Sequence, residues 1–237
     1  RNLRVTSPPR SSRRPEARWS KRTDALVRYV ASRCNPSLQS ELGHWIDDSP
    51  RFGAFVAANQ DKIRKKLSNA DGTDGRLDVR AELWVAHLLL ADRRFDVIFE
   101  GYGSQRAAPD LSVTYRANLR FNLEVTRLRS APDVTRLANV LVAKVRQLPA
   151  ELPNALVIAG HELALTETQV NAAARLLKAH DDAFFAHRGF PNARTFVNHC
   201  LRLSGVVVLD DAAAAVFWAN REARHPLAVE IVTRLLA

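Results

Sequence analysis

Methionine is absent from all 237 residues, cysteine occurs twice, and only six of the 35 basic residues are lysine. The two cysteines, Cys34 and Cys200, form no CxxC pair, no zinc-ligand spacing and no disulfide framework. That usage points to a reducing, cytoplasmic setting. No apolar run reaches the ~18 residues that would read as a transmembrane helix, and the first 22 residues lack the apolar stretch of a signal peptide. The missing initiator methionine is what a chain truncated or processed at its start would show. There is no HExxH among the histidines, no GxSxG elbow, and GYGSQR lacks the GK[ST] ending of a phosphate loop. Zincin, serine-hydrolase and P-loop chemistry are therefore not indicated.

The net charge is +10, unevenly spread. Residues 1–22 carry seven arginines and Lys21 against the single Glu16, a balance of +7, which leaves +10 less +7, or +3, for the rest. The Pro-, Ser- and Arg-rich segment 1–21 reads as a disordered basic arm. Arg13 and Arg14 within it are candidates for sequence-independent contact with nucleic-acid phosphates. A solvated tail that keeps the protein soluble would look the same.

With 46% hydrophobic residues, the chain has enough apolar material for a core without disulfides. Helices are expected over 22–33, 36–47 after the Pro36 start signal, and 50–67, giving a helical region at 22–72. The basic stretch DKIRKKL at 61–67 reads as a solvated helix face. SNADGTDG at 68–75 reads as a loop, and the helix that follows is apolar on most sides and must be buried. Strands follow at 94–100, 109–115 and 119–128, the last two as an antiparallel hairpin. Ser130 and Pro132 open a helix that runs to Leu148, and ALVIAG at 155–160 has the continuous apolarity of a central strand. Helices at 166–180 and 192–203, strands at 205–210 and 215–220, and a C-terminal helix complete an α/β domain over 73–237 with a mixed central sheet.

Three acids stand out. On strand 119–128, Phe121, Leu123 and Val125 share one face, and Asn122, Glu124 and Thr126 share the other. Glu124 thus projects from a central strand, where a carboxylate is costly unless something binds it. Asp110 follows Pro109 at the start of the hairpin partner. Two carboxylates so placed repel each other, and a hard cation would relieve the repulsion. Glu82 lies on the buried helix beside Val85, Ala86 and Leu89, and needs a partner there. Asp210 and Asp211 end an apolar strand and read as a turn.

The series Glu82, Pro109-Asp110 and Glu124-Val125-Thr126, set on α-β-β-β-α-β, resembles the PD-(D/E)xK (restriction-endonuclease-like) nuclease superfamily over about residues 77–160. The resemblance implies a restriction-endonuclease-like core and a metal-dependent nuclease, acting on DNA or another nucleic acid, as a possible homodimer. It implies Mg²⁺ (or Mn²⁺) held by Asp110, Glu124 and the Val125 carbonyl, with Glu82 completing the shell. Thr126 stands where the family usually has lysine. Lys144, on the helix after the third strand, is the candidate substitute, and Gln147 one turn on is a candidate base or phosphate contact. Arg127 and Arg129 point away from Glu124. Thr126 also leaves open a degenerate module that binds nucleic acid or protein without cutting.

Overall fold

The structure, a computed structural model, describes residues 19–101, 109–128, 133–161, 163–210 and 213–237. Arg13, Arg14 and Arg129 lie outside the described residues.

Each of the first three helices starts on a side-chain cap. Ser20 accepts from the Thr23 N–H to open α1 (Lys21–Val30), Asn35 caps α2 (Pro36–Asp48), and Ser49 caps α3 (Pro50–Ala58). The single helix expected over 50–67 breaks at Asn59, whose N–H returns to the Phe55 and Val56 carbonyls. The chain restarts as α4 (Gln60–Asn69). The expected loop at 68–75 is shorter, because α5 (Gly72–Ala91) already begins at Gly72. The polar first turn of α5, TDG, carries no apolar period and so read as loop.

The sheet has six strands in chain order: β1 (Phe95–Phe99), β2 (Leu111–Tyr115), β3 (Leu119–Leu128), β4 (Asn154–Gly160), β5 (Leu203–Asp210) and β6 (Ala213–Ala219). β1–β2 and β2–β3 are antiparallel, β3–β4 and β4–β5 parallel, and β5–β6 antiparallel. The parallel steps need crossovers. The first is α6 (Val134–Val145), capped by Asp133. The second runs through α7 (Glu167–Lys178), α8 (Asp182–Ala186) and α9 (Ala193–Cys200). A last helix, α10 (Val229–Leu235), follows β6. The element order α5-β1-β2-β3-α6-β4 is thus α-β-β-β-α-β.

Helices cover both sides of the sheet. Phe121, Leu123 and Val125 of β3 join Ala155, Val157 and Ala159 of β4 in a core shared with α1–α5 and Ile231 of α10. Leu128, Leu156 and Ile158 face the opposite core, built with α6, α7 and α9. The face of β3 that carries Glu124 is therefore not a solvent face: Asn122 is 0% and Glu124 2% exposed. Asn122 is satisfied by donating to Asn154 Oδ1. Trp19, the first described residue, seats its ring against Gly43, where a Cβ would come within 2.4 Å of it.

Candidate functional site

The sheet register places three acids in a row. The β1–β2 ladder ends at Phe99↔Leu111, and one step further the Glu100 N–H donates to the Asp110 carbonyl at 3.0 Å. The β2–β3 ladder ends at Leu111↔Leu123, so one step back from Leu111 sets Asp110 opposite Glu124. Glu100, Asp110 and Glu124 thus stand side by side across three strands. Glu100 takes φ 46°, a left-handed conformation unusual for a residue with a Cβ. Asp110 Oδ2 accepts the Val125 N–H at 2.9 Å, which ties the start of β2 to β3 where the ladder has ended.

Glu82 enters from α5, which packs on β1 and β3. It meets these acids through Lys66 of α4. The Lys66 ammonium lies 2.7 Å from Glu82 Oε2, 3.1 Å from Asp110 Oδ1 and 3.2 Å from Glu100 Oε1. The Glu82 contact is a close, largely buried ion pair. Lys62, one turn earlier on α4, donates to the Phe99 carbonyl at 3.1 Å. On the other side, Lys144 of α6 donates to Glu124 Oε1 at 2.7 Å. Glu124 Oε2 is buried and has no hydrogen-bond partner among the described residues.

The electrostatics show a shortage of positive charge. Burial, then repulsion from Asp110, lifts Glu124 to about 7 against the pull of Lys144. Burial and Asp110 likewise push Glu82 well above the usual carboxylate range, against the pull of Lys66. Burial would pull the two lysines down, but their carboxylate partners outweigh it and both are raised. Four carboxylates share two ammonium groups. Glu82 and Glu124 are both shifted upward, as crowded buried carboxylates are.

Glu82, Asp110, Glu124 and Lys144 therefore converge, and Lys66 and Glu100 join them. Thr126 lies on the Glu124 face of β3, half-buried and paired in register with Ile158. Gln147 lies in the turn after α6, which ends at Val145, three residues short of the expected Leu148. Arg127 turns to the opposite side and pairs with Asp74 and Asp78 of α5. The Asp210 carboxylate accepts the Leu163 N–H at 2.8 Å. Lys62, Lys66 and Glu100 were not singled out from the sequence. Lys62 and Lys65 are exposed and Lys66 half-buried, beside the buried Ile63 and Leu67, and the helix pattern alone does not mark which of them meets the sheet. Glu100 carries no signal beyond ending a strand.

Comparison with family models, with curated proteins and with solved structures finds no match. The functional reading rests on the site itself.

Among the described residues, no three acids, histidines or cysteines stand close enough together to grip one metal ion as the side chains lie. The lysine ammonium groups stand among them instead. The donor set nonetheless suits a hard divalent cation. Its atoms are carboxylate oxygens, one of them a buried orphan on Glu124, and its acids are short of counter-charge. A cavity of about 430 Å³ between α7, α9 and β6 lies away from this cluster. There Glu222 is paired with Lys178, and burial pushes the Cys200 thiol up to about 12, so no activated nucleophile lines it.

Proposed function

We propose that the chain is a metal-dependent nuclease of the PD-(D/E)xK type, hydrolysing phosphodiester bonds with DNA as the leading substrate. The observation that carries this reading is the convergence of Glu82, Asp110 and Glu124, from a helix and two strands, on one cluster with buried, undercompensated carboxylates. Structural ion pairs are normally balanced, and a buried carboxylate oxygen left without a partner is costly. The α-β-β-β-α-β order of the surrounding elements supports the same reading.

In this reading Asp110 and Glu124 hold Mg²⁺ or Mn²⁺, with the Val125 carbonyl and Glu82 contributing. A bound divalent ion supplies Lewis acidity toward a phosphate oxygen and lowers the pKa of a water. The chain's own residues do the rest. The Val125 N–H fixes the Asp110 carboxylate, so one of its oxygens is oriented before any ligand arrives. Lys144 provides the positive charge that Thr126 lacks, through its ion pair with Glu124. Asn122 and Asn154 lock β3 to β4 beneath the site.

A second reading has a specific observation behind it: Thr126 replaces the usual lysine, and ammonium groups stand between the acids. A degenerate module that binds nucleic acid without cutting would tolerate both. Incubating plasmid and single-stranded DNA with Mg²⁺ or Mn²⁺ separates the two. Cleavage that disappears in Asp110→Ala, Glu124→Ala and Lys144→Met supports the enzyme. Retention of DNA without cleavage in either metal supports the binding module.

A further inference from the structure

We propose that Lys66 is a displaceable counter-ion: its ammonium holds the cation position of the acid cluster, and a divalent ion binds by expelling it toward solvent. This rests on the reading of the cluster as a divalent-cation centre.

Three independent features converge on it. The first is position. Lys66 is held by Glu82, Asp110 and Glu100 together, at 2.7, 3.1 and 3.2 Å, whereas among the described residues Lys144 pairs with Glu124. Two of the three acids around Lys66 are those whose oxygens would ligate metal. An ammonium and a divalent ion cannot share that space, because like charges in a poorly solvated site repel strongly.

The second is incomplete satisfaction. Glu124 Oε2 has no hydrogen-bond partner among the described residues, in a residue that is 2% exposed. Four carboxylates paired with two ammonium groups leave a formal charge of −2. Counted with all four acids ionised, replacing the Lys66 ammonium by a divalent ion takes that charge from −2 to −1, so the exchange reduces the deficit.

The third is freedom to leave. Lys66 comes from α4, outside the strands that carry the acids, and its side chain is 26% exposed against 8% for Glu82 and 3% for Glu124. A flexible four-carbon stem can swing its head outward while the stem stays packed.

Two measurements test this on the intact chain. In calorimetric titration with Mn²⁺, Lys66→Met binds about tenfold or more tightly than wild type. Lys62→Met removes the same charge from the same helix, from an ammonium that reaches the Phe99 and Glu100 carbonyls and no carboxylate among the described residues, and stays within about twofold. Equal or weaker binding by Lys66→Met, or an equal gain in Lys62→Met, overturns the proposal. In the unmutated protein, reductive methylation followed by mass spectrometry reads the freedom of each lysine. Lys66 is labelled several-fold faster with Mg²⁺ than with chelator, and an unchanged or slower rate overturns the proposal even if Lys66→Met fails to fold. Absence of metal binding in wild type and both variants sinks the cation-centre reading and this inference with it. Metal binding in wild type without a gain in Lys66→Met sinks this inference alone.

Discussion

Glu124 should make the metal-free protein more stable in mild acid than at neutral pH. Its carboxyl is lifted from an ordinary value of 4.5 to about 7 by burial and by Asp110. Between those values the folded chain holds a proton that the unfolded chain has released. The native state then binds more protons, so unfolding free energy falls as pH rises. Below 4.5 both states are protonated, and above 7 both are ionised. The full difference is ~3 kcal/mol, at 1.36 kcal/mol per pKa unit, and with 3% of the side chain exposed little is lost to solvent screening. The steepest contribution is one proton, ~1.4 kcal/mol per pH unit. Glu82 shifts in the same direction, so some slope remains without Glu124. The assay is urea unfolding from pH 5 to pH 8 in chelator, for wild type and Glu124→Gln. The variant loses ~1 kcal/mol per pH unit of slope averaged over pH 5 to 7, whatever its absolute stability. Saturating Mg²⁺ flattens the wild-type slope by favouring the ionised acid. Coincident slopes for the two proteins would refute the electrostatic account of the site.

Three further outcomes concern the scaffold. Arg51 donates to the carbonyls of Leu90, Asp92 and Phe95, latching α3 onto the α5–β1 turn, so Arg51→Ala should lower unfolding free energy by about 2 kcal/mol in urea titration. The fully buried Asn154 amide accepts from Asn122, and its nitrogen lies 2.8–2.9 Å from the carbonyls of Pro149, Leu152 and Arg202, two of which its hydrogens can serve at once. Asn154→Ala should cost about 3 kcal/mol or more, read as a drop in the urea midpoint. At Gly205 an added Cβ would lie 2.4 Å from the Phe217 ring and 2.6 Å from the Trp218 carbonyl, so Gly205→Ala must part β5 from β6; thermal unfolding should report a loss of about 1–3 kcal/mol.

What the sequence made legible was local. The alternation along β3 separates Glu124 from Phe121, Leu123 and Val125, and the short turn at 116–118 makes the β2–β3 hairpin, so Asp110 and Glu124 come out as neighbours from pattern alone. Glu82 was visible as a carboxylate on an apolar stripe, and Lys144 as a scarce lysine on the crossover helix. The parts that were not legible depend on packing between elements distant in sequence. DKIRKKL reads as a solvated face, because nothing within seven residues says that β1 runs beside it; the break at Asn59 and the docking of α4 decide that Lys62 and Lys66 meet the sheet edge. Glu100 joins the row only through the β1–β2 register. That β3 is buried on both faces likewise follows from α6 crossing over it, and no pattern in β3 itself distinguishes a polar face beneath a helix from one in water.

The most direct measurement is the rate of supercoiled-plasmid nicking in Mg²⁺ by wild type and by Asp110→Asn and Glu124→Gln, which keep side-chain shape and remove the charge. The account predicts nicking by wild type and a loss of about a hundredfold or more in each variant, with circular dichroism unchanged. Nicking at equal rates in all three proteins, or in none, would contradict it.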